Sequence, residues 1–216
     1  MAISQETRAE LAELAGRYPQ ARSALLPMLH LVQSEEGYVT AEGMAACAET
    51  LGLSTAEVAA VATFYTMYKR RPTGKHHIGV CTNTMCGLLG GDAVWDAVSA
   101  SAGAGHDEVS EDGLFDLERI ECQAACTHAP VMTVDWEFFD RMTPADALAV
   151  LDALRLGDEV HSTRGPAVRG YRAAERTISG IDDDGLTEQG GHADELMLAN
   201  VRAAAERGVG PADGGR

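Results

Sequence analysis

Four of the five cysteines fall into two close pairs, Cys81-x4-Cys86 and Cys122-x3-Cys126, with thirty-five residues between them. A fold that uses this pattern must bring two distant stretches of chain together and present four sulfurs within a few ångströms. Each pair gathers two donors locally, so the tertiary structure need only place two short loops side by side. Four thiolates are the ligand set of a [2Fe–2S] cluster, which points to a carrier of single electrons. Cys81, Cys86, Cys122 and Cys126 are therefore the candidate cofactor and metal ligands. No catalytic residue is assigned.

Other uses of four cysteines fit less well. Structural zinc also takes four thiolates, on C-x2-C or C-x4-C knuckles, and the C-x3-C pair departs from that spacing. A zinc-stabilised assembly module stays as the alternative from a different functional class. Dithiol–disulfide catalysis calls for C-x-x-C, which is absent, and the plant-type ferredoxin run C-x4-C-x2-C is not matched, since position 89 is leucine. Cys47, within Met44-Ala-Ala-Cys-Ala, reads as a small apolar group on a helix. Gly87, Gly90 and Gly91 follow the first pair, where tight turns and free backbone N–H groups serve a cluster.

Seventeen basic against thirty-three acidic residues give a net charge of −16, with Lys69 and Lys75 the only lysines. Such a chain offers phosphates no dense basic face, so nucleic-acid binding is not expected. The acidity serves solubility or complements a more basic partner. No apolar run reaches the length of a membrane span, and the polar N-terminus has no signal-peptide core. The expected setting is the cytosol, where thiols stay reduced. Neither a G-x-G-x-x-G run nor a P-loop is present.

Residues 1–72 read as a helical bundle. Helices are predicted over 4–17 and 21–35, the second with Pro27 near its first turn, then from the N-cap Thr40 to Gly52. A fourth is predicted over 55–69, opened by the capping box Ser54-Thr55-Ala56-Glu57. Residues 73–156 read as an α/β domain: a strand ending at Cys81, a loop, a helix over 91–101, and a strand over 114–120. A further strand over 130–134 and a helix opened by Thr143-Pro144 complete it. From Gly157 to residue 216 an extended tail is expected, with short helices at 170–179 and 192–207 and disorder at the end.

The chain resembles the 24-kDa-type (E-type) subunit of respiratory complex I, the NADH–quinone oxidoreductase. The resemblance rests on the spacing of Cys81, Cys86, Cys122 and Cys126. Further support comes from Arg22-Ser23-Ala24-Leu25-Leu26-Pro27, Phe64-Tyr65-Thr66-Met67-Tyr68, Glu121-Cys122 and Ala129-Pro130-Val131-Met132, and it covers roughly residues 17–156. It implies an α+β fold: an N-terminal helical bundle, then a thioredoxin-like α/β domain with a small mixed sheet, then the extended C-terminal tail. It also implies one [2Fe–2S] cluster exchanging single electrons with FMN, with FMN and NADH on a flavoprotein partner. Other peripheral-arm subunits would be neighbours, at the cytoplasmic face of the membrane, in a proton-translocating enzyme whose complete active site is not in this chain. Equivalent subunits occur in soluble NAD-dependent hydrogenases and formate dehydrogenases. The family often has glycine in the second pair where this chain has Ala124.

Negative charge near a cluster lowers its potential, which makes Glu121 and Asp92 candidate tuners beside the alternative of plain solvation. His128 reads as a loop residue. Tyr65 and Tyr68 are candidates for a partner interface, and Arg164, Arg169, Arg172 and Arg176 either clamp a neighbour or are solvated.

Overall fold

The computed structural model describes residues 3–181 and 195–208. Four helices come first: α1 (Gln5–Gly16), α2 (Leu25–Glu36), α3 (Ala41–Leu51) and α4 (Thr55–Phe64). Each start has a local cause. Ser4 and Thr40 accept the backbone N–H groups of Thr7 and Gly43, and Ser54 and Glu57 cap one another reciprocally. Pro27 lies in the first turn of α2, where its missing N–H costs little. The apolar faces meet in one core that includes Leu11, Leu14, Met28, Leu29, Val32 and Val58.

The fourth helix ends at Phe64, five residues short of the predicted 55–69. The cause is long-range. Gln33, fully buried on α2, donates from Nε2 to the Met67 carbonyl at 2.9 Å and accepts the Lys69 N–H at 2.6 Å. The Tyr68 hydroxyl donates to the Leu26 carbonyl. Gln33 thus pairs the Met67 carbonyl and the Lys69 N–H without a helix.

The second half builds a five-stranded sheet in the order β2-β3-β1-β4-β5. Its strands are β1 (His76–Cys81), β2 (Glu108–Val109), β3 (Phe115–Ile120), β4 (Met132–Val134) and β5 (Glu137–Phe139). β1 and β3 run parallel, joined through α5 (Thr84–Leu88) and α6 (Gly91–Ala102). The other three pairings are antiparallel. One sheet face carries Ile78, Val80, Phe115, Leu117, Met132 and Val134 and packs on α6 and α7 (Pro144–Leu156) in a second apolar core. The short strands β2 and β5 add to the predicted β-α-β-β-α order. β4 turns into β5 through Asp135 and Trp136, both at positive φ without a glycine to announce the turn.

The opposite sheet face is polar and covered. Alternation in 114–120 suggests an exposed polar side, yet Asp116 is fully buried and Glu118 is paired with Lys69, itself buried. Arg71 Nη1 reaches Asp116 Oδ1 at 2.8 Å. Burial, the largest influence on Glu118, favours its protonated form. The His77 hydrogen bond and the Lys69 charge overcome that and hold its carboxyl down to about 2.

The segment after α7 returns to the body. α8 (Tyr171–Ile178), at the position predicted for a short helix, packs along α2. Glu175 is fully buried there: its Oε2 accepts from His30 Nδ1 at 2.6 Å and its Oε1 from Trp136 Nε1 at 2.7 Å. Of the tail arginines, Arg164 pairs with Asp140, Arg176 pairs with Glu10, and Arg172 caps the α2 carbonyls of Ser34 and Glu35. These three make bonds within the chain, Arg172 from an exposed position. The last described helix is α9 (Glu195–Glu206), at the position predicted for the second tail helix. Residues 209–216, expected to be disordered, lie outside the described residues. Among the described residues no single helix is long and apolar enough to cross a membrane.

One carboxylate thus ties a bundle helix, the sheet and α8 together. Glu175→Ala leaves His30 and the Trp136 N–H buried without their acceptor, and a loss of about 3 kcal/mol in urea unfolding is expected.

Candidate metal centre

The parallel pairing of β1 with β3 brings the two cysteine pairs to one end of the sheet. Cys81 is the last residue of β1 and lies opposite Ile120, the last residue of β3. Cys122 follows two residues after Ile120, and Cys126 opens a short 3-10 turn, Cys126–His128. Cys86 sits in α5. Asn83 Nδ2 donates across to the Ile120 carbonyl at 3.3 Å, linking the two ligand loops. An apolar wall of Ile120, Ala125 and Val131 backs the sulfurs.

The sulfurs come as two pairs. Cys122 Sγ and Cys126 Sγ are 3.6 Å apart. That is close to the edge of a tetrahedron with metal–sulfur bonds of about 2.3 Å, roughly 3.8 Å. The Cys86 thiol shares a hydrogen bond with Cys81 and accepts one from the Val131 N–H. Cys81 and Cys86 are buried, whereas Cys122 and Cys126 are exposed. Among the described residues no three His, Cys, Asp or Glu side chains converge on one metal-ion position. Cys81, Cys86, Cys122 and Cys126 are the residues that would hold a [2Fe–2S] cluster, which would supply one-electron redox chemistry.

The thiols also feel one another. Burial, foremost, and then the neighbouring Cys81 push the Cys86 thiol up to about 11, against the pull of the Val131 N–H. The Cys126 thiol is raised first by the hydrogen bond it shares with Cys122, then by desolvation and by charge on Cys122 and Cys81. A set of four thiolates here therefore needs cationic metal to offset its mutual repulsion. Cys47 stands apart, buried in the helical core, with burial pushing its thiol up to about 12. It is an inert apolar group.

Of the proposed tuners, Asp92 pairs with Arg119 at 3.3 Å on the surface, while Glu121 lines a cleft beside Gln123. His128 is buried, with its Nδ1 2.8 Å from the Thr127 hydroxyl. The glycines after the first pair divide in role. A Cβ on Gly91 would stand 2.6 Å from the Cys81 carbonyl and 2.8 Å from that of Cys86, so only glycine fits beneath the loop. Ala124, between the second pair, sits at φ 55°, the left-handed region that glycine favours.

A profile of the thioredoxin-like [2Fe-2S] ferredoxin family matches residues 11–155. The E subunit of the Mycobacterium tuberculosis NADH-quinone oxidoreductase is 50% identical over 192 residues, 89% of this chain and 76% of that protein. NADH-quinone oxidoreductase subunit 2 of Thermus thermophilus is 36% identical over 168 residues, 76% of this chain and 93% of that one. Among solved structures, an NAD+-reducing [NiFe]-hydrogenase chain aligns with a TM-score of 0.55 at 20% identity, a likeness of fold. That alignment covers 62% of this chain and 23% of the hydrogenase chain.

Two backbone substitutions probe the loops in opposite directions. Gly91→Ala crowds the Cys81–Cys86 turn and is expected to cost about 1–3 kcal/mol, with loss of bound iron. Ala124→Gly removes the left-handed penalty of about 1–2 kcal/mol, less about 0.5–1 kcal/mol for glycine's greater freedom when unfolded. A net gain of about 0.5–1 kcal/mol is expected in denaturant titrations, with slower iron release to a chelator.

Proposed function

The chain belongs to the thioredoxin-like [2Fe-2S] ferredoxin family of NADH-quinone oxidoreductase E subunits, and from that premise we propose that it is the electron-transfer component that exchanges single electrons with the FMN of an NADH-oxidising partner. The observation that carries this reading is the pairwise presentation of Cys81 with Cys86 and Cys122 with Cys126 at the ends of two parallel strands. In this reading all four are the cluster ligands. When bound, a [2Fe–2S] cluster accepts and donates one electron at a time.

The residues of the chain do the rest. The buried pair and its apolar wall exclude water from one side of the site, while Cys122 and Cys126 lie at the surface. The Val131 N–H directs a hydrogen bond at the Cys86 sulfur, an interaction that stabilises negative charge there. Apolar side chains stand exposed on the loop that carries Cys86: Met85 at 45%, Leu88 at 77% and Leu89 at 56%. Phe64 at 77% and Tyr65 at 46% are exposed at the end of α4. Such apolar surface suits a permanent protein partner. The partner in this reading is the FMN- and NADH-binding flavoprotein, within a peripheral arm at the cytoplasmic face of the membrane and a proton-translocating enzyme. The 50% identical relative favours NADH–quinone oxidoreductase over the soluble hydrogenase assembly, whose likeness is one of fold.

Iron and acid-labile sulfide, counted together with the electron paramagnetic resonance spectrum before and after dithionite, test the assignment. About two irons and two sulfides per chain are expected, silent when oxidised and giving a one-electron signal when reduced. Cys122→Ser is expected to lose or distort that signal and Cys47→Ser to leave it unchanged. The reverse outcome would overturn the ligand set.

A further inference from the structure

Two clefts meet where the chain leaves α4. The first, of about 480 Å³, takes in Lys69, Arg70, Arg71 and Asp107. The second, of about 580 Å³, takes in Leu26, Ile120, Glu121, Gln123 and Phe138. Tyr65, Thr66, Tyr68 and Glu118 line both, so the two form one groove between helical bundle and sheet. Its far end reaches Glu121 and Gln123, on either side of the proposed ligand Cys122. The floor is fixed before anything binds. Tyr68 is buried, its hydroxyl donates to the Leu26 carbonyl at 2.9 Å, and its ring lies 4.8 Å from that of His30. Gln33 holds the backbone on either side of it. A preformed groove spares a binding partner the cost of ordering it.

Charges along the groove are matched except at its two ends. Lys69 pairs with Glu118, and Arg71 lies 2.8 Å from Asp116 and 3.5 Å from Asp107. Arg70, exposed in the first cleft, makes no ion pair among the described residues. The Glu121 carboxylate, exposed at the end of the second, makes none either. An unmatched cation therefore stands at one end and an unmatched anion at the other. Between them Leu26, Ile120 and Phe138 make the walls apolar. Phe64, whose ring lies 5.0 Å from that of Tyr65, and Leu26 expose apolar surface along the rim. A small molecule in either cleft would leave that rim and one end charge in water. A peptide segment with an apolar side chain between an acidic and a basic residue matches all three features.

We propose that this groove takes an extended segment of the flavoprotein partner, with an acidic residue at Arg70, an apolar side chain against Tyr65, Ile120 and Phe138, and a basic residue at Glu121. The opposite charges at the two ends also fix the direction of the segment, because a reversed one meets like charge at both. Tyr65, exposed and shared by the two clefts, is the central aromatic anchor, the kind of residue on which binding energy concentrates. The groove ends at the loop of Cys122 and Cys126, the exposed cysteine pair, so a segment seated in it brings the partner over that side of the centre. The inference rests on the reading that the partner of this chain is the flavoprotein.

The test uses the full chain, with iron and sulfide counted, and the purified FMN-binding flavoprotein as the probe. Affinity is measured at low salt and at about 0.15 M. Tyr65→Ala is expected to weaken binding about thirtyfold, the loss of one central anchor. Arg70→Glu and Glu121→Arg are each expected to weaken it roughly tenfold at low salt and to reduce its salt dependence. Leu156→Ala, exposed on α7 across the sheet, is expected to leave it unchanged. A photo-cross-linking benzoylphenylalanine at position 65, with position 156 as control, gives a readout that needs no loss of binding. Position 65 is expected to cross-link to one short flavoprotein segment in which acidic and basic residues flank an apolar one. A flavoprotein that binds the wild type and all three groove variants alike overturns the groove and leaves the partner reading standing. A cross-link from position 65 to a second copy of this chain, or to a flavoprotein segment without that charge pattern, overturns the proposed occupant. Failure of the iron-loaded chain to bind the flavoprotein overturns this inference and the partner reading together.

Discussion

The parallel pairing of β1 with β3 is the constraint on which the rest of this structure depends. It places Cys81 opposite Ile120, so that the loops leaving both strands emerge at the same edge with a cysteine pair in each. A parallel pair cannot be closed by a tight turn and needs a crossover. α5 and α6 supply it, and α5 carries Cys86 on the way. The crossover must also pass close beneath the first loop, which is why Gly91, with no room for a side chain against two cysteine carbonyls, starts α6. Gly79 meets a similar demand at mid-strand, where a Cβ would collide with Thr133 Oγ1 and Ile120. Metal-site geometry and sheet register are thus one requirement expressed in two places.

The second layer of the molecule is assembled by carboxylates as much as by apolar contact. Glu118, Asp116, Asp135 and Glu175 are drawn into the junction between helical bundle and sheet, and each meets a named partner: Lys69, Arg71, His76 and His30. Removing charges from water is costly, so such pairs add less net stability than their number suggests. They specify orientation instead, because a displaced helix would leave a buried charge unmatched. In a chain of net charge −16 this is also where scarce cations are placed, with Lys69 and Arg71 both directed inward.

Much of this was legible because its causes are local. The capping box at Ser54 and Glu57 and the Thr143-Pro144 helix start announce themselves within four residues. The two cysteine pairs point to the proposed metal centre through their spacing. What stayed hidden is set by residues far away in sequence. Gln33 ends α4 across more than thirty residues, and no propensity in 55–69 foretells it. Asp116 and Glu118 alternate like a solvated strand face, and only Lys69, Arg71 and α8 turn that face into an interior. α8 itself lies in a stretch broken by Gly and Pro, yet Tyr171 is fully buried and Arg172 and Arg176 are consumed in fixing the helix.

Two stretches of non-glycine backbone at positive φ are held in two distinct ways. Asp135 and Trp136 adopt positive φ, but each has a side chain that offsets the strain: Asp135 holds His76 and the His77 N–H, and Trp136 donates to Glu175. Their turn is stabilised by the protein alone. Ala124, at φ 55°, has only a methyl group and forms no such bond. It is flanked by Cys122 and Cys126, whose sulfurs lie 3.6 Å apart. In that loop the backbone carries strain of about 1–2 kcal/mol. Ligation that fixes both sulfurs therefore stabilises the loop beyond what its own side chains can do.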